Sequence, residues 1–527
     1  MKFIAFIDNS LNSGAGHIKR SLNLISSYME IYKVDELIIF FEDKIEKYII
    51  KKIKNFNIPQ KIILEKYNNK KINDIDFDYK DNFILIDSYK IKDNFLKAIK
   101  KKIKNVKILR IIDNPIFSSA DYVVDYNPLA IDKWREISYN KESHYLLGLK
   151  YFISNFEKNF LDEIGSKYET DILICFGYSP QPEVIKNCLL SIKRLKDLAI
   201  KKILIVTNFS EELSTLLKEE FLSFNISIKN NVKNLLPYIK NSKIFITSSS
   251  TQMYEASFLR VPTICIELNN NQINTSQLYD ELGLWFYVPN KELNSIKKFL
   301  GKLLLMILNN YNDIVNESWG SNKINLNGQK NIFLDISNRN FKNKILNSKT
   351  LEGRFTNTKT TDLNFELKYM NSYLDLRNNK SNRTVMVNNQ IIKRLEHYCW
   401  WLSNPPRNSK LLIREEKQKI IIWEQAIRID NDLYLIGGWF GNNYPRKFWD
   451  AFLLVKEQLE NCKLKYPNHT WLAIIHKQNK HVLEMNFKLG FEEIEFNNKN
   501  NYETIFRKAF KIRSFSSFNK LIFKNNM

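Results

Sequence analysis

Residues 2–20 read KFIAFIDNSLNSGAGHIKR: an apolar run halted by Asp8, a polar loop, and two glycines flanking Ala15 directly ahead of His17. Five apolar residues in succession, stopped by a charge, predict a buried strand. Gly14 and Gly16 let the backbone approach a phosphate or sugar at the start of the following helix, whose free amides favour negative charge. Strand, glycine turn and helix in that order open a doubly wound α/β sheet. His17 falls in the first helical turn. Near neutral pH an imidazole takes a proton from water, the task of a general base; capping the helix or packing on the turn is the plainer role for the same residue.

The pattern of that stretch recurs down the chain. Apolar runs at 36–41, 82–87, 106–112 and 122–124 alternate with helical or turn segments through residues 1–160. Residues 161–330 repeat the style with runs at 171–176, 202–206, 226–228, 244–247 and 263–267. Nearly continuous apolar strands separated by helices imply parallel sheets covered on both faces. Two such Rossmann-like domains in succession imply a cleft at the carboxyl ends of their strands. Residues 331–360 are polar and lack periodicity, as a linker does. Residues 361–512 change to a smaller α+β pattern, with strands near 364–368, 410–414, 419–426, 433–439 and 471–476, a helix at 446–462 and a short helix ending in Lys488-Leu489-Gly490-Phe491. Residues 513–527 read as a basic tail.

Composition bounds the function. The 527 residues are 44% hydrophobic and 13% aromatic, too apolar for an intrinsically disordered chain. The longest uninterrupted apolar run, 303–308, is far short of a membrane helix, so no integral membrane segment is expected. Five scattered cysteines without a CxxC pair suggest neither a disulfide framework nor a zinc site; no metal and a cytoplasmic location are expected. The net charge of +23 is spread among isoleucine and asparagine, without the interleaved aromatics of a nucleic-acid binder. No nucleic-acid partner is expected, and the basic background suits anionic small ligands. Glycine is scarce, 14 in all, so each one marks a place where the backbone needs it.

Other strand ends carry polar residues. Asp87-Ser88-Tyr89 closes one run and faces the expected cleft, Asp87 to orient a partner and Tyr89 to bond a substrate; turn capping is the alternative. Asp113 closes the next run with the same ambiguity. Ser250-Thr251 begins a helix where hydroxyls and free amides suit a diphosphate, and Glu255, one turn on, suits two ribose hydroxyls. An ordinary N-cap with an acidic first turn explains the same residues. Asn271 and Gln272 lie at a further strand end.

Together, Gly14-Ala15-Gly16-His17-Ile18-Lys19-Arg20, Asp87-Ser88-Tyr89, Gly148-Leu149-Lys150-Tyr151 with Phe156, Phe176-Gly177, Ser250 to Ala256 and Asn271-Gln272 resemble the UDP-sugar hydrolases of pseudaminic acid biosynthesis. These are relatives of the GT-B glycosyltransferase that makes lipid II. The resemblance covers about residues 1–330. It implies metal-free, cofactor-free hydrolysis of a UDP-2,4-diacetamido-2,4,6-trideoxy-L-altropyranose with inversion at the anomeric carbon. His17 matches the residue that activates water, Tyr89 the sugar-site tyrosine, Glu255 the ribose carboxylate, and Ser250 with Thr251 the pyrophosphate turn. Arg20 and Gly177 fall in the same matched segments, and Asp8 ends the strand that leads into the first of them. The family's glycine-rich phosphate loops are replaced here by Phe176-Gly177-Tyr178-Ser179 and Ser248-Ser249-Ser250-Thr251. A GT-B glycosyltransferase, or a nucleotide-sugar-binding scaffold, is compatible with the same residues.

In the last domain Arg377-Asn378, Arg383, His397, Trp400-Trp401 and the closing Asn479 to Phe491 resemble a GNAT-type N-acetyltransferase of the branch acting on the 4-amine of nucleotide-linked sugars. That implies acetyl-CoA as cosubstrate, with Gly441, Asn443 and Arg446 in the diphosphate turn and Asn479 and Asn486 beside the acyl arm. Asn486 stands where many relatives have a tyrosine. Arg377, Asn378 and His397 fall on the sugar side; a core-edge histidine is the plainer role for His397, and a structural domain of the same fold is the alternative for the whole segment. A bifunctional enzyme on a UDP-linked amino sugar is the combined expectation.

Overall fold

The computed structural model describes residues 1–9, 15–41, 61–66, 82–103, 105–135, 142–154, 168–177, 181–195, 200–230, 232, 234–268, 272, 278–318, 320–338, 360–362, 367–403, 407–413, 419–496 and 501–524. They form two compact units. One is Met1–Leu293 with Ser318–Lys349; the other is Asn294–Glu317 with Thr350–Met527.

The first unit holds two parallel sheets. One contains β1 (Lys2–Ile7), β2 (Glu36–Phe41), β3 (Lys61–Lys66), β4 (Asn82–Asp87), β5 (Val106–Ile111), β6 (Tyr122–Asp125) and β7 (His144–Leu147), in the order β3-β2-β1-β4-β5-β6-β7. The other contains β8 (Thr170–Cys175), β9 (Lys202–Thr207), β10 (Asn225–Asn230), β11 (Ser242–Ser248), β12 (Thr263–Ile266) and β13 (Trp285–Val288), in the order β10-β9-β8-β11-β12-β13. Both follow the doubly wound scheme, in which the order reverses beside the first strand. Phe3, Ala5 and Ile7 join a core on one face of the first sheet, while Ile4 and Phe6 join a separate core on the other. Burial on both faces is why these strands lack polar alternation.

Three strands of this unit, β3, β7 and β13, were not expected from the sequence. Each is short or flanked by charge, and paired neighbours supply what propensity does not. Trp285 even enters β13 at φ 67°. The first core continues into the second sheet through Leu173, Cys175 and Phe245, so the two domains share apolar packing.

The helix Gly328–Ser337 overlaps the segment expected as linker, whose residues 339–359 lie outside the described residues. It returns to the first domain. Phe333 packs edge-on to Tyr28 and Phe83, at 5.1 and 6.1 Å, and Asp335 accepts from Lys150 Nζ at 2.6 Å and the Tyr151 hydroxyl at 2.7 Å.

The second unit carries a mixed sheet. Its strands are β14 (Thr360–Asp362), β15 (Arg407–Ile413), β16 (Lys419–Ile429), β17 (Asp432–Gly441), β18 (Thr470–His476), β19 (Glu492–Glu493) and β20 (Phe518–Lys524), in the order β14-β15-β16-β17-β18-β20-β19. Asp430 and Asn431, both at positive φ, close the β16–β17 hairpin, the backbone that a two-residue loop demands. β17 and β18 are parallel and pair only across Tyr434–Ile436 and Thr470–Leu472. Beyond that point they part.

The expected basic tail is instead β20, inserted between β18 and β19, with Leu521 and Ile522 buried. Its lysines lie among apolar residues that fill the sheet. The strand expected at 364–368 is replaced at its end by a short 3₁₀ helix, Leu367–Tyr369; residues 363–366 lie outside the described residues. The apolar helix Ile296–Asn309, expected within the second Rossmann-like domain, belongs to this unit and packs on the helix Arg394–Leu402.

Candidate functional site

The carboxyl ends of β1, β4 and β5 converge on one polar cluster. Asp8 leaves β1 with its amide bonded to the Asp87 carbonyl at 2.9 Å, which ties the two strand ends together. From the helix Ala15–Ile31, His17 and Arg20 come one turn apart onto the same face. Both reach Asp87, which is fully buried.

His17 Nδ1 meets Asp87 Oδ1 at 2.6 Å. Arg20 makes a two-pronged contact, Nη2 to Oδ1 at 2.6 Å and Nε to Oδ2 at 2.8 Å. The Ser21 hydroxyl donates to Oδ2 at 2.8 Å. Arg20 also grips Asp113, Nη1 to Oδ1 at 2.7 Å, and donates to the Tyr126 hydroxyl at 3.1 Å. The Tyr89 hydroxyl donates to Asp113 Oδ2 while its ring sits edge-on to His17 at 5.0 Å. Tyr89 is 57% exposed and stands at the rim.

Burial opposes the charge of Asp87, yet Arg20 and His17 outweigh it and hold the carboxyl well below the usual range. Asp113 is lowered in the same way: burial works against its charge and is overcome chiefly by Arg20. An ionised Asp87 only accepts, so His17 Nδ1 donates to it and, in the neutral imidazole, Nε2 carries the lone pair. No described residue bonds Nε2. The group therefore presents an oriented base, backed by two carboxylates and one guanidinium. Such a surplus of negative charge suits a sugar carbon that becomes cationic as its leaving group departs.

The second domain contributes another sheet edge. Gly177 follows β8 at φ +88°, a backbone that side chains resist, and a Cβ there would meet nothing within 4 Å. Gly16 has the same open space above it. Thr251 precedes the helix Gln252–Phe258 without a capping bond from its side chain, and the buried Ser250 Oγ has no partner among the described residues. The ordinary N-cap expected as the alternative is thus not made.

Glu255 is buried one turn on. Burial raises the pKa of the nearby Cys175 thiol. Aromatic contacts close the same region: Tyr254 stacks on Phe152 at 4.9 Å and meets Tyr126 at 5.8 Å. Gln272 spends its carbonyl on the Leu268 amide at 2.8 Å. Gly14, Phe156 and Asn271 lie outside the described residues.

In the second unit the expected residues do not gather into one site. Arg377 donates to the Asn388 carbonyl at 2.7 Å and to the Gln390 carbonyl, and Asn378 bonds the Ile392 backbone in both directions. These two residues fold a loop of their own chain. His397 is buried among Tyr373, Trp400 and Trp401, bonds the Met370 carbonyl at 2.9 Å, and burial lowers its pKa to about 3. It is a neutral core histidine, not a group held out to a substrate.

Gly441 is a sheet glycine, since a Cβ there would fall 2.7 Å from the Lys419 carbonyl. Asn443 and Arg446 are exposed at the start of the helix Lys447–Lys465. Asn479 precedes the helix Lys480–Lys488 without a side-chain cap, and Asn486 returns its amide to the Val482 carbonyl at 2.8 Å. The parting of β17 from β18 leaves the strand from Gly437 onward without a partner on that side.

Sequence reasoning left Asp113 as an ambiguous strand-end residue and did not select Ser21 or Tyr126. Asp113 and Tyr126 carried the same signal as Asp87, a polar residue just past a strand. Their junction at one guanidinium left no trace in the spacing.

No known family profile matches the chain. An uncharacterized protein of Methanocaldococcus jannaschii is 29% identical over 292 residues, which is 53% of this chain and 58% of that protein. The chain thus spans little more than half the length of that relative. Among solved structures, MurG of Acinetobacter baumannii is 11% identical with a TM-score of 0.44, covering 63% of this chain and 99% of its own. The UDP-GlcNAc 2-epimerase of Neisseria meningitidis, bound to UDP-GlcNAc, is 14% identical with a TM-score of 0.43 over 63% of this chain and 99% of its own.

Proposed function

We propose that the first unit hydrolyses a UDP-2,4-diacetamido-2,4,6-trideoxy-L-altropyranose to UDP and the free sugar. The observation that carries this reading is the 2.6 Å bond between His17 Nδ1 and Asp87, which leaves Nε2 as an oriented base. Water gives its proton to Nε2 as its oxygen attacks the anomeric carbon. The bond from that carbon to the β-phosphate oxygen breaks, and its electron pair leaves on UDP, with inversion. Asp87 stabilises the imidazolium that forms, and Arg20 keeps Asp87 from drifting. On the opposite edge Ser250, Thr251 and the open backbone at Gly177 receive the diphosphate, and Glu255 the ribose. UDP is a good leaving group, so placement of water and diphosphate carries most of the catalysis.

For the second unit the reading is acetyl transfer from acetyl-CoA to the 4-amine of a UDP-linked sugar. Its support is the gap between β17 and β18, where the amides of an extended acyl arm would add to the free strand edge. When bound, acetyl-CoA supplies the thioester. Asn443 and Arg446 lie where its diphosphate would meet the amino end of a long helix.

The deciding experiment is incubation of purified protein with the UDP-linked diacetamido-trideoxy-altrose, with UDP followed by phosphorus NMR. Absence of UDP at enzyme concentrations near that of substrate overturns the hydrolase. A glycosyltransferase is favoured by one observation, the exposed Ile116 and Phe117 three and four residues beyond Asp113. It predicts sugar transferred to an added acceptor in place of free sugar. Consumption of acetyl-CoA with a UDP-4-amino sugar tests the second unit.

A further inference from the structure

Glu267 follows β12 at the carboxyl edge of the second sheet and is only 4% exposed. Asn290 fixes it from both ends. The Asn290 amide donates to Glu267 Oε2 at 3.2 Å, and Asn290 Nδ2 donates to the Glu267 and Leu268 carbonyls at 3.5 and 3.1 Å. Oε1 is buried and has no partner among the described residues. A buried acceptor held this firmly, with no partner among the described residues, is open to a donor from a bound ligand.

The strand register places that oxygen's residue. Thr247 pairs with Cys175 on one side and Cys265 on the other. Gly177, Ser249 and Glu267, each two residues further on, therefore leave the same edge of the sheet. Neighbouring strands lie about 4.8 Å apart, so Glu267 stands about one sugar ring from the Ser250 turn.

We propose that Glu267 is a specificity-determining residue that accepts a hydrogen bond from a hydroxyl or N–H of the glycosyl group of the bound nucleotide sugar. The proposal rests on the nucleotide-sugar reading given above. A carboxylate repels the diphosphate, so its partner is a neutral or cationic donor. In that reading Glu255 already takes the ribose, which leaves the sugar and the uracil N3–H, and the titration with UDP separates these two.

The test is calorimetric titration of the full chain with UDP and with UDP-N-acetylglucosamine. Glu267→Gln keeps a carbonyl for the Asn290 amide and turns the free acceptor into a donor. The expected result is a loss of about 10- to 100-fold in affinity for UDP-N-acetylglucosamine, the range for a hydrogen bond to a charged group, with UDP affinity within about twofold of wild type. Equal weakening of both ligands, or no weakening of the sugar nucleotide, overturns the proposal. If Glu267→Gln does not fold, Glu267→Asp withdraws the oxygen by one methylene and is held to the same selective loss. Wild-type protein that binds neither ligand overturns the nucleotide-sugar reading, and this assignment with it. Wild-type binding with an unaltered variant overturns Glu267 alone.

Discussion

Asp87 meets four donor atoms with two oxygens, and its place at the end of β4 lets His17, Arg20 and Ser21 all reach it from one helix. The tautomer of His17 follows from that anchoring, so His17→Ala is expected to lower turnover by about 10²- to 10⁴-fold, the usual worth of a general base. UDP affinity should stay within about twofold of wild type; lost UDP binding would mark a structural histidine instead. Asp125 behaves in the opposite way. Burial raises its pKa to about 7, against the bonds it accepts from the Asn127 amide at 3.0 Å and Trp134 Nε1 at 3.0 Å. Its unfolded value is about 3.9, so between pH ~4 and 7 the unfolded chain has lost this proton and the folded chain keeps it. Asp125 therefore subtracts stability as pH rises through that window. Its carboxyl carbon should titrate by NMR with a midpoint near 7, and a midpoint below 5 would contradict the burial argument. The sequence pointed to Asp87 and Tyr89 because they close a strand, and to His17 and Arg20 because they follow the Gly14-Ala15-Gly16 turn into the first helix. For His397, Arg377 and Asn378 the motif left open whether their bonds are spent inside the chain, and the bonds seen here go to backbone groups of the chain itself.

Among the elements, strands with long apolar runs were legible because burial on both faces writes itself as an unbroken run. β3 and β20 were not, since lysines interrupt their apolar runs; in β20 they cost little because only the middle, Leu521 and Ile522, is buried. The helix Gly328–Ser337 was hidden for another reason. It is held by partners nearly 200 positions earlier, Lys150 and Tyr151 on Asp335, and by close contact with Phe152. At Gly328 a Cβ would lie 2.0 Å from the Phe152 carbonyl oxygen. Gly328→Ala should therefore destabilise the first unit by about 1–3 kcal/mol, the range for overpacking a close contact. Denaturant unfolding measures it, and an unchanged midpoint would show that the helix shifts freely.

For the molecule as a whole, the chain leaves the first unit at Leu293, joins the second for Asn294–Glu317, and returns for Ser318–Lys349. Ile296, Leu300, Leu303, Leu304 and Ile307 are buried in the second unit, so the boundary in space is not the boundary in sequence. A chain ended at residue 338 should expose that apolar helix and associate or precipitate. Monodisperse behaviour by light scattering, with unchanged unfolding of the first unit, would refute this. The sequence by itself determined the two doubly wound sheets, the mixed-sheet domain and the strand-end residues of the site, because periodicity and turn chemistry are local. Only the tertiary structure decided that Arg20 bridges Asp87 and Asp113, that Glu267 Oε1 is buried without a partner among the described residues, and that helix Ile296–Asn309 belongs to the later domain. Those outcomes depend on which distant side chains share one buried volume, and spacing along the chain does not encode that.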